Sequence, residues 1–302
     1  MAKKEKTKNK SHIKKQDLIT AIVLLGPAVI WLVWWIILPA VYALILSFTS
    51  YDLLRPAKTE FIFLDNYINL LSDKGFLRAL KNTLIYAIGV VPLQVIIALF
   101  LALVSNEDIK AKGFFRVVYY LPGLTSGVAI SSIFLFLFSK SGIVNIFLSK
   151  FGIEPISWAA SPSLALPLII IMAIWAGTGF QMLVFLAGLQ DISGEIYEAA
   201  SIDGATKWQQ FISITVPLLK PKTFFVMATG FIGALQVFDM AYIISGGSGG
   251  PDGSTMTAVL YLYTEAFKKD QMGYASAAAF ILFGIILILT LIQKKFFEDK
   301  EF

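Results

Sequence analysis

The chain contains no cysteine and a single histidine, His12. Disulfides and thiolate metal sites are therefore excluded. Zinc hydrolysis lacks ligands as well, because no His-Glu-x-x-His occurs and no long apolar segment carries a histidine. The serines in those segments have no base beside them, so a hydrolase triad is unavailable. No Gly-x-x-x-x-Gly-Lys-Ser/Thr is present, which removes the phosphate-cradling loop that binds nucleotide. No catalytic, cofactor or metal constellation can be assembled, and the chain reads as a non-enzyme. Charge is scarce too: 15% of residues are charged, where soluble domains carry about 25%. With 57% hydrophobic residues and a mean hydropathy of +0.75, the chain reads as an all-α polytopic membrane protein.

The formal charge of +5 does not imply nucleic acid. Seven lysines fall in the first fifteen residues, and no basic patch with interleaved aromatics follows. A basic tail (1–17) beside a membrane span is an orientation signal. The run after it carries no charge from Leu18 to Tyr51. That is far longer than the roughly 7–15 apolar residues of a signal peptide, so it reads as a retained first span.

A helix rises about 1.5 Å per residue, and about 20 apolar residues cross the hydrocarbon. By that measure the sequence predicts six spans, near 18–48, 82–105, 117–139, 163–190, 223–245 and 275–293. The first is too long for one straight crossing; Pro27 and Pro39 are expected to kink it. Strand-like alternation is absent, which disfavours a β-barrel. With the N-terminus inside, the inner segments 1–17, 106–116, 191–222 and 294–302 hold 16 basic residues against 9 in the outer loops. Both termini, and the loop 191–222, are therefore expected in the cytoplasm, the chain being multi-pass in the cell (inner, cytoplasmic) membrane. The outer loop 246–274 opens on a Gly-rich turn. Its amphipathic stretch Thr255 to Phe267 is expected along the outer membrane face.

The loop 191–222 is more ordered than a connector requires. Ser193 is placed to cap a helix, with Glu195 in its first turn. Ile196, Ala199 and Ala200 share a small apolar face, and Glu198 and Asp203 fall outside it. Gly204 can end that helix in a left-handed conformation. The chain restarts at Thr206-Lys207-Trp208 and is expected to leave helical geometry before Pro217. On the residues alone this is equally a docking element or an interfacial helix anchored by Trp208 and Phe211.

The spacing Glu198-Ala199-Ala200, three residues, Gly204, nine residues, Ile214-x-Val216-Pro217 resembles the signature of the permease subunits of ABC importers. Val216 stands where that signature usually has leucine, a conservative change. Tyr119-Tyr120-Leu121-Pro122-Gly123, Asp203-Gly204-Ala205 and Gln236-Val237-Phe238-Asp239 resemble the carbohydrate branch, of the maltose and multiple-sugar type. The likeness covers about 18–293. It implies a permease domain 18–293 with short cytoplasmic tails, in which Glu198, Ala199, Ala200, Asp203, Gly204 and Pro217 form a coupling helix for an ATPase subunit. It also implies partners: a second homologous permease, two ATP-binding subunits, an extracytoplasmic solute-binding protein, membrane lipid and a sugar substrate. An importer of glycerol 3-phosphate or polyamine, or a secondary transporter with inverted repeats, is the competing reading.

Polar groups inside spans mark partners or a wet pathway. Asp239 is the only charged side chain well inside a predicted span, and Gln236, three residues earlier, is expected on the same helical face. Gln94 and Gln181 stand in the second and fourth spans. The fourth also offers Trp175, Gly177 and Phe180, of which at most one ring is expected to point inward with Gly177. The resemblance places cavity-lining positions near Trp175–Gln181 and Gly233–Gln236. Gln94, Gln181 and Gln236 read equally as hydrogen-bonded bridges to neighbouring helices or to a second permease, and Asp239 more readily so, since a neutral sugar does not require a carboxylate.

Overall fold

The computed structural model describes residues 15–107 and 111–297. Both terminal tails of the sequence reading fall largely outside them. Among the described residues the protein is helical, with a single isolated bridge between Thr49 and Phe61. The first span comprises α1 (Lys15–Leu32), a π turn (Val33–Ile37) and α2 (Leu38–Leu46). The wide turn falls just before Pro39, whose missing N–H would otherwise interrupt the ladder. Thr20–Leu46 is long and apolar enough to cross a membrane and is almost wholly exposed.

Helix α3 (Asp65–Ser72) leads into α4 (Lys74–Asn106), 33 residues and about 50 Å long. Beyond it the expected third span is not one straight helix. It divides into α5 (Lys112–Tyr120), a 3-10 turn (Leu121–Leu124) and α6 (Gly127–Leu137), with a 99° bend. Pro122 and Gly123 interrupt the backbone ladder, and Ser126 then caps α6 by accepting from Ala129 N–H. Five spans therefore stand with one bent pair, giving six crossings if the pair counts as one.

Helix α7 (Ile143–Ser149) precedes α8 (Ala165–Gln190), which packs along α4 as the central pair. The loop after it holds α9 (Gly194–Ile202), α10 (Lys207–Gln210), a π turn (Phe211–Thr215) and α11 (Val216–Leu218). The next span is α12 (Lys220–Leu235) followed by α13 (Asp239–Ile244). Two expectations fail here. Pro217 does not stop the helix: Val216 keeps right-handed helical angles, and the π turn before it absorbs the missing donor. Gln236 and Asp239 do not share a helical face, because α12 ends at Leu235, with Gln236 outside it as the cap, and α13 begins at Asp239.

Helix α14 (Ala258–Phe267) confirms the amphipathic stretch but not its place. Leu260, Tyr261, Glu265 and Ala266 are buried against α15 (Met272–Phe297) and α4 rather than laid out on lipid. One carboxylate fixes this junction. Asp73 caps α4, its Oδ1 accepting from Gly75 N–H at 2.6 Å and Phe76 N–H at 2.9 Å. Its Oδ2 accepts from the hydroxyls of Tyr261 at 2.9 Å and Tyr274 at 3.1 Å. Burial by itself raises the Asp73 carboxyl, but the four donors outweigh it and hold the group below its ordinary range. Burial, then the bond to Asp73, pushes the Tyr261 hydroxyl up.

Candidate functional site

Two places gather the residues of interest: a cavity among the spans and the loop 191–219 at one end of the bundle. The cavity measures about 300 Å³ and is bounded by α4, α6, α8, α12 and the turn Leu121–Leu124. Gly123, Gly127, Gly177, Gly230 and Gly233 line it, with Tyr86, Gln94, Thr125 and Thr229 as polar groups. The break in the third span and the small side chains both border this space.

Gln94 is 6% exposed and Gln181 7%. Gln94 Nε2 donates to the Ala173 carbonyl at 2.6 Å, and Gln181 Nε2 donates to Gln94 Oε1 at 2.9 Å. Gln181 Oε1 has no partner among the described residues. Gly177 is dictated by this pair, since a Cβ there would overlap the Gln94 amide nitrogen. Gln94 thus reaches the cavity wall while braced from behind, and Gln181 supports it without lining the space.

The other residues separate. Gly177 and Gly233 face the cavity. Trp175 instead lines an apolar groove of about 590 Å³ with Ile97, Val118 and Pro122. Its ring centroid lies 5.7 Å from that of Phe134. Phe180 is exposed and lines neither space. Gln236 is exposed at the end of α12. Asp239 is exposed at the start of α13 and lies against Gly127, where a Cβ would sit 3.3 Å from Asp239 Cβ and 3.5 Å from Oδ2. Its carboxylate therefore stands beside the N-terminus of α6, a favourable position for negative charge. The two broken spans touch at their breaks. Sequence reasoning missed Gly123, Thr125, Gly127, Thr229 and Gly230; the Pro122-Gly123 step was the available signal for the first three.

The loop is built as one piece. Ser193 Oγ accepts from Glu195 N–H at 3.3 Å, starting α9. Gly204, at φ +80°, ends it. Ala205 N–H reaches the Ala200 carbonyl at 2.9 Å, and Gly204 N–H reaches that of Ser201 at 3.1 Å. This is a Schellman closure, which requires the left-handed residue. Thr206 and Gln209 form a capping box for α10. Gln210 Nε2 donates to Ser201 Oγ at 2.8 Å, and the Tyr197 and Thr215 hydroxyls meet at 2.9 Å. Glu198, Ala199, Asp203 and Gly204 are exposed, and Ala200 is half-buried. Ala200, Asp203 and Gly204 line a groove between the short helices. Pro217 lies outside that groove, in α11. Ile202 at the end of α9 is 86% exposed, and Trp208 in α10 is exposed too. An ordered loop that leaves such apolar groups in water has the character of a contact surface.

Comparison with known proteins places this architecture. The chain is 38% identical over 301 residues to the probable ABC transporter permease protein YesP of Bacillus subtilis (strain 168), covering 97% of this chain and 96% of the relative. It is 35% identical to the lactose transport system permease protein LacF of Rhizobium radiobacter, covering 98% and 99%. Among solved structures it resembles a chain of a bacterial alginate ABC transporter, crystallised in complex with alginate pentasaccharide-bound periplasmic protein. That match has a TM-score of 0.79 and 25% identity, covering 94% of each chain. The model of the binding-protein-dependent transport system inner membrane component matches residues 71–299, and the chain belongs to that family of ABC transporter permeases.

Proposed function

We propose that this chain forms the translocation pathway for a sugar or oligosaccharide, driven by ATP hydrolysis in separate subunits. The observation that carries the reading is the end-to-end likeness to a lactose permease, with an alginate transporter as the structural relative. The cavity fits that substrate class. It offers one braced amide and three hydroxyl-bearing residues in a wall rich in small residues, the pattern that orients a polyhydroxyl solute. No lysine or arginine lines it, which favours an uncharged solute over glycerol 3-phosphate.

In this reading the chain is no enzyme, and its energy arrives through the loop 191–219. The termini and that loop lie in the cytoplasm of a cell whose inner membrane the chain crosses. Glu198, Ala199, Ala200, Asp203 and Gly204 meet one of two ATP-binding subunits, and Pro217 stiffens the return to α12. A second homologous permease completes the pathway, and an extracytoplasmic binding protein delivers the sugar. Closure of the ATPase pair displaces the docked loop, and α12 carries the displacement to Gly230 and Gly233 in the cavity wall. This is rigid-body coupling between two-state parts.

Reconstitution tests it. The chain alone in vesicles should give no sugar uptake. Uptake should appear when the second permease, the ATPase, the binding protein and ATP are supplied. Uptake by the chain alone would instead make it a secondary transporter.

A further inference from the structure

Helix α7 presents a face that transport does not explain. Ile143, Ile146 and Phe147 recur at helical spacing along it, Phe151 follows in the turn after its end, and all four are exposed. Three devices hold them outward. Gly142 folds the chain back onto the end of α6 so tightly that a Cβ would overlap the Phe136 and Leu137 carbonyls. Asn145, 1% exposed, donates to the Ser139 carbonyl at 2.8 Å and the Ile156 carbonyl at 2.9 Å. Its Oδ1 accepts from Ile156 N–H at 3.0 Å and Trp158 Nε1 at 3.3 Å. Trp158 in turn packs edge-on against Phe138 at the end of α6, with centroids 5.3 Å apart. A fully satisfied buried amide is an expensive way to order a seven-residue helix whose outer face is apolar.

Position and charge identify what covers that face. The segment joins two spans, at the end of the bundle opposite the loop 191–219, and lies directly on the last turn of α6. Ile133 and Phe136 of α6 are exposed as well. Lys140 and Lys150 flank the ridge, exposed, and hold no ion pair among the described residues. An apolar stripe between two free ammonium groups matches the boundary between acyl chains and phosphate headgroups. We propose that α7 is an interfacial anchor, its ridge seated in the headgroup–acyl boundary of the bilayer and its lysines on lipid phosphate. It would hold the outer half of the bent span at a fixed depth. The proposal does not depend on the sugar reading.

The absence of cysteine makes the test direct. Phe147→Cys and Phe151→Cys, each labelled with a nitrobenzoxadiazole dye, are placed in the assembled transporter in phospholipid vesicles. Nitroxide lipids labelled near the headgroup should quench both dyes more strongly than lipids labelled deep in the chain. A dye on Ser149→Cys, also exposed, should stay in water and be quenched least. Adding the binding protein should change neither ridge signal. In vesicles with anionic lipid, replacing Lys140 and Lys150 by Gln should speed aqueous maleimide labelling of Phe147→Cys about fivefold per lysine. Quenching at 147 no stronger than at 149 would overturn the proposal. So would protection of 147 and 151 that appears only with the binding protein or the second permease and without lipid quenching. An unchanged labelling rate in the lysine variants would overturn the headgroup contact.

Discussion

Gln181 donates to Gln94 across the α4–α8 interface at 2.9 Å, and Gln94 passes the chain of bonds on to the Ala173 carbonyl at 2.6 Å. Both amides are buried, so removing one strands the other. Gln94→Leu should cost about 1–3 kcal/mol, because both ends of the Gln181 amide are then unpaired. The double variant Gln94→Leu with Gln181→Leu should recover part of that loss. Thermal unfolding of the four proteins in a double-mutant cycle measures it. Strictly additive losses would show that the pair is not coupled.

Gly177 tests whether the same amide serves the pathway. Gly177→Ala puts a methyl on the Gln94 nitrogen, and Gly177→Leu also fills the cavity. Uptake should fall modestly in the first and be lost in the second while the assembled complex still purifies. Normal uptake by Gly177→Leu would move the pathway away from this cavity.

Gly204 separates folding from coupling. A Cβ there meets nothing within 4 Å, yet φ is +80°. Gly204→Ala should therefore cost only about 1 kcal/mol, the price of left-handed backbone. Gly204→Trp adds bulk on the exposed side of the loop and should leave the spans folded while cutting sugar moved per ATP hydrolysed. An unchanged ratio of transport to hydrolysis would remove this glycine from the contact.

Asp73 predicts an acid weakness. Its carboxyl is held below the ordinary value, so the folded state binds that proton less readily than the unfolded state. The stabilisation is complete above the unfolded value, about 3.9, and is lost as pH falls through the lowered folded value. Asp73→Asn should be less stable than the parent near neutrality and should lose less on acidification below about pH 4. Unfolding midpoints between neutral and acid pH read the difference.

How far these features were legible varies with their physical cause. Ser193 and Gly204 announced themselves because caps and left-handed turns depend on local chemistry. The helix breaks did not. Three residues such as Leu121-Pro122-Gly123 barely alter the hydropathy of a long apolar run, so the third span read as straight. Gln236 and Asp239 were placed on one face by assuming a continuous helix, and the break between α12 and α13 removes that relation. Pro217 misled in the opposite direction, since a π turn is invisible to residue preferences. The bracing of Gln94 by Gln181 required a contact between residues 87 positions apart.

The bonds from Gln210 to Ser201 and from Tyr197 to Thr215 tie the turns of the loop 191–219 to one another, so in the proposed coupling it acts as a lever without an internal joint. A push on its tip is not dissipated in bending. The loop joins α12 at Leu219, which keeps the helical ladder, donating to the Thr215 carbonyl at 2.9 Å and accepting from Thr223 N–H at 2.8 Å. Leu219 is buried beside Met182, Phe185 and Leu186 of α8, so in the proposed coupling this junction is a packed bearing. Loosening that bearing with a smaller side chain would blunt the stroke at the far end without touching either the cavity or the contact surface.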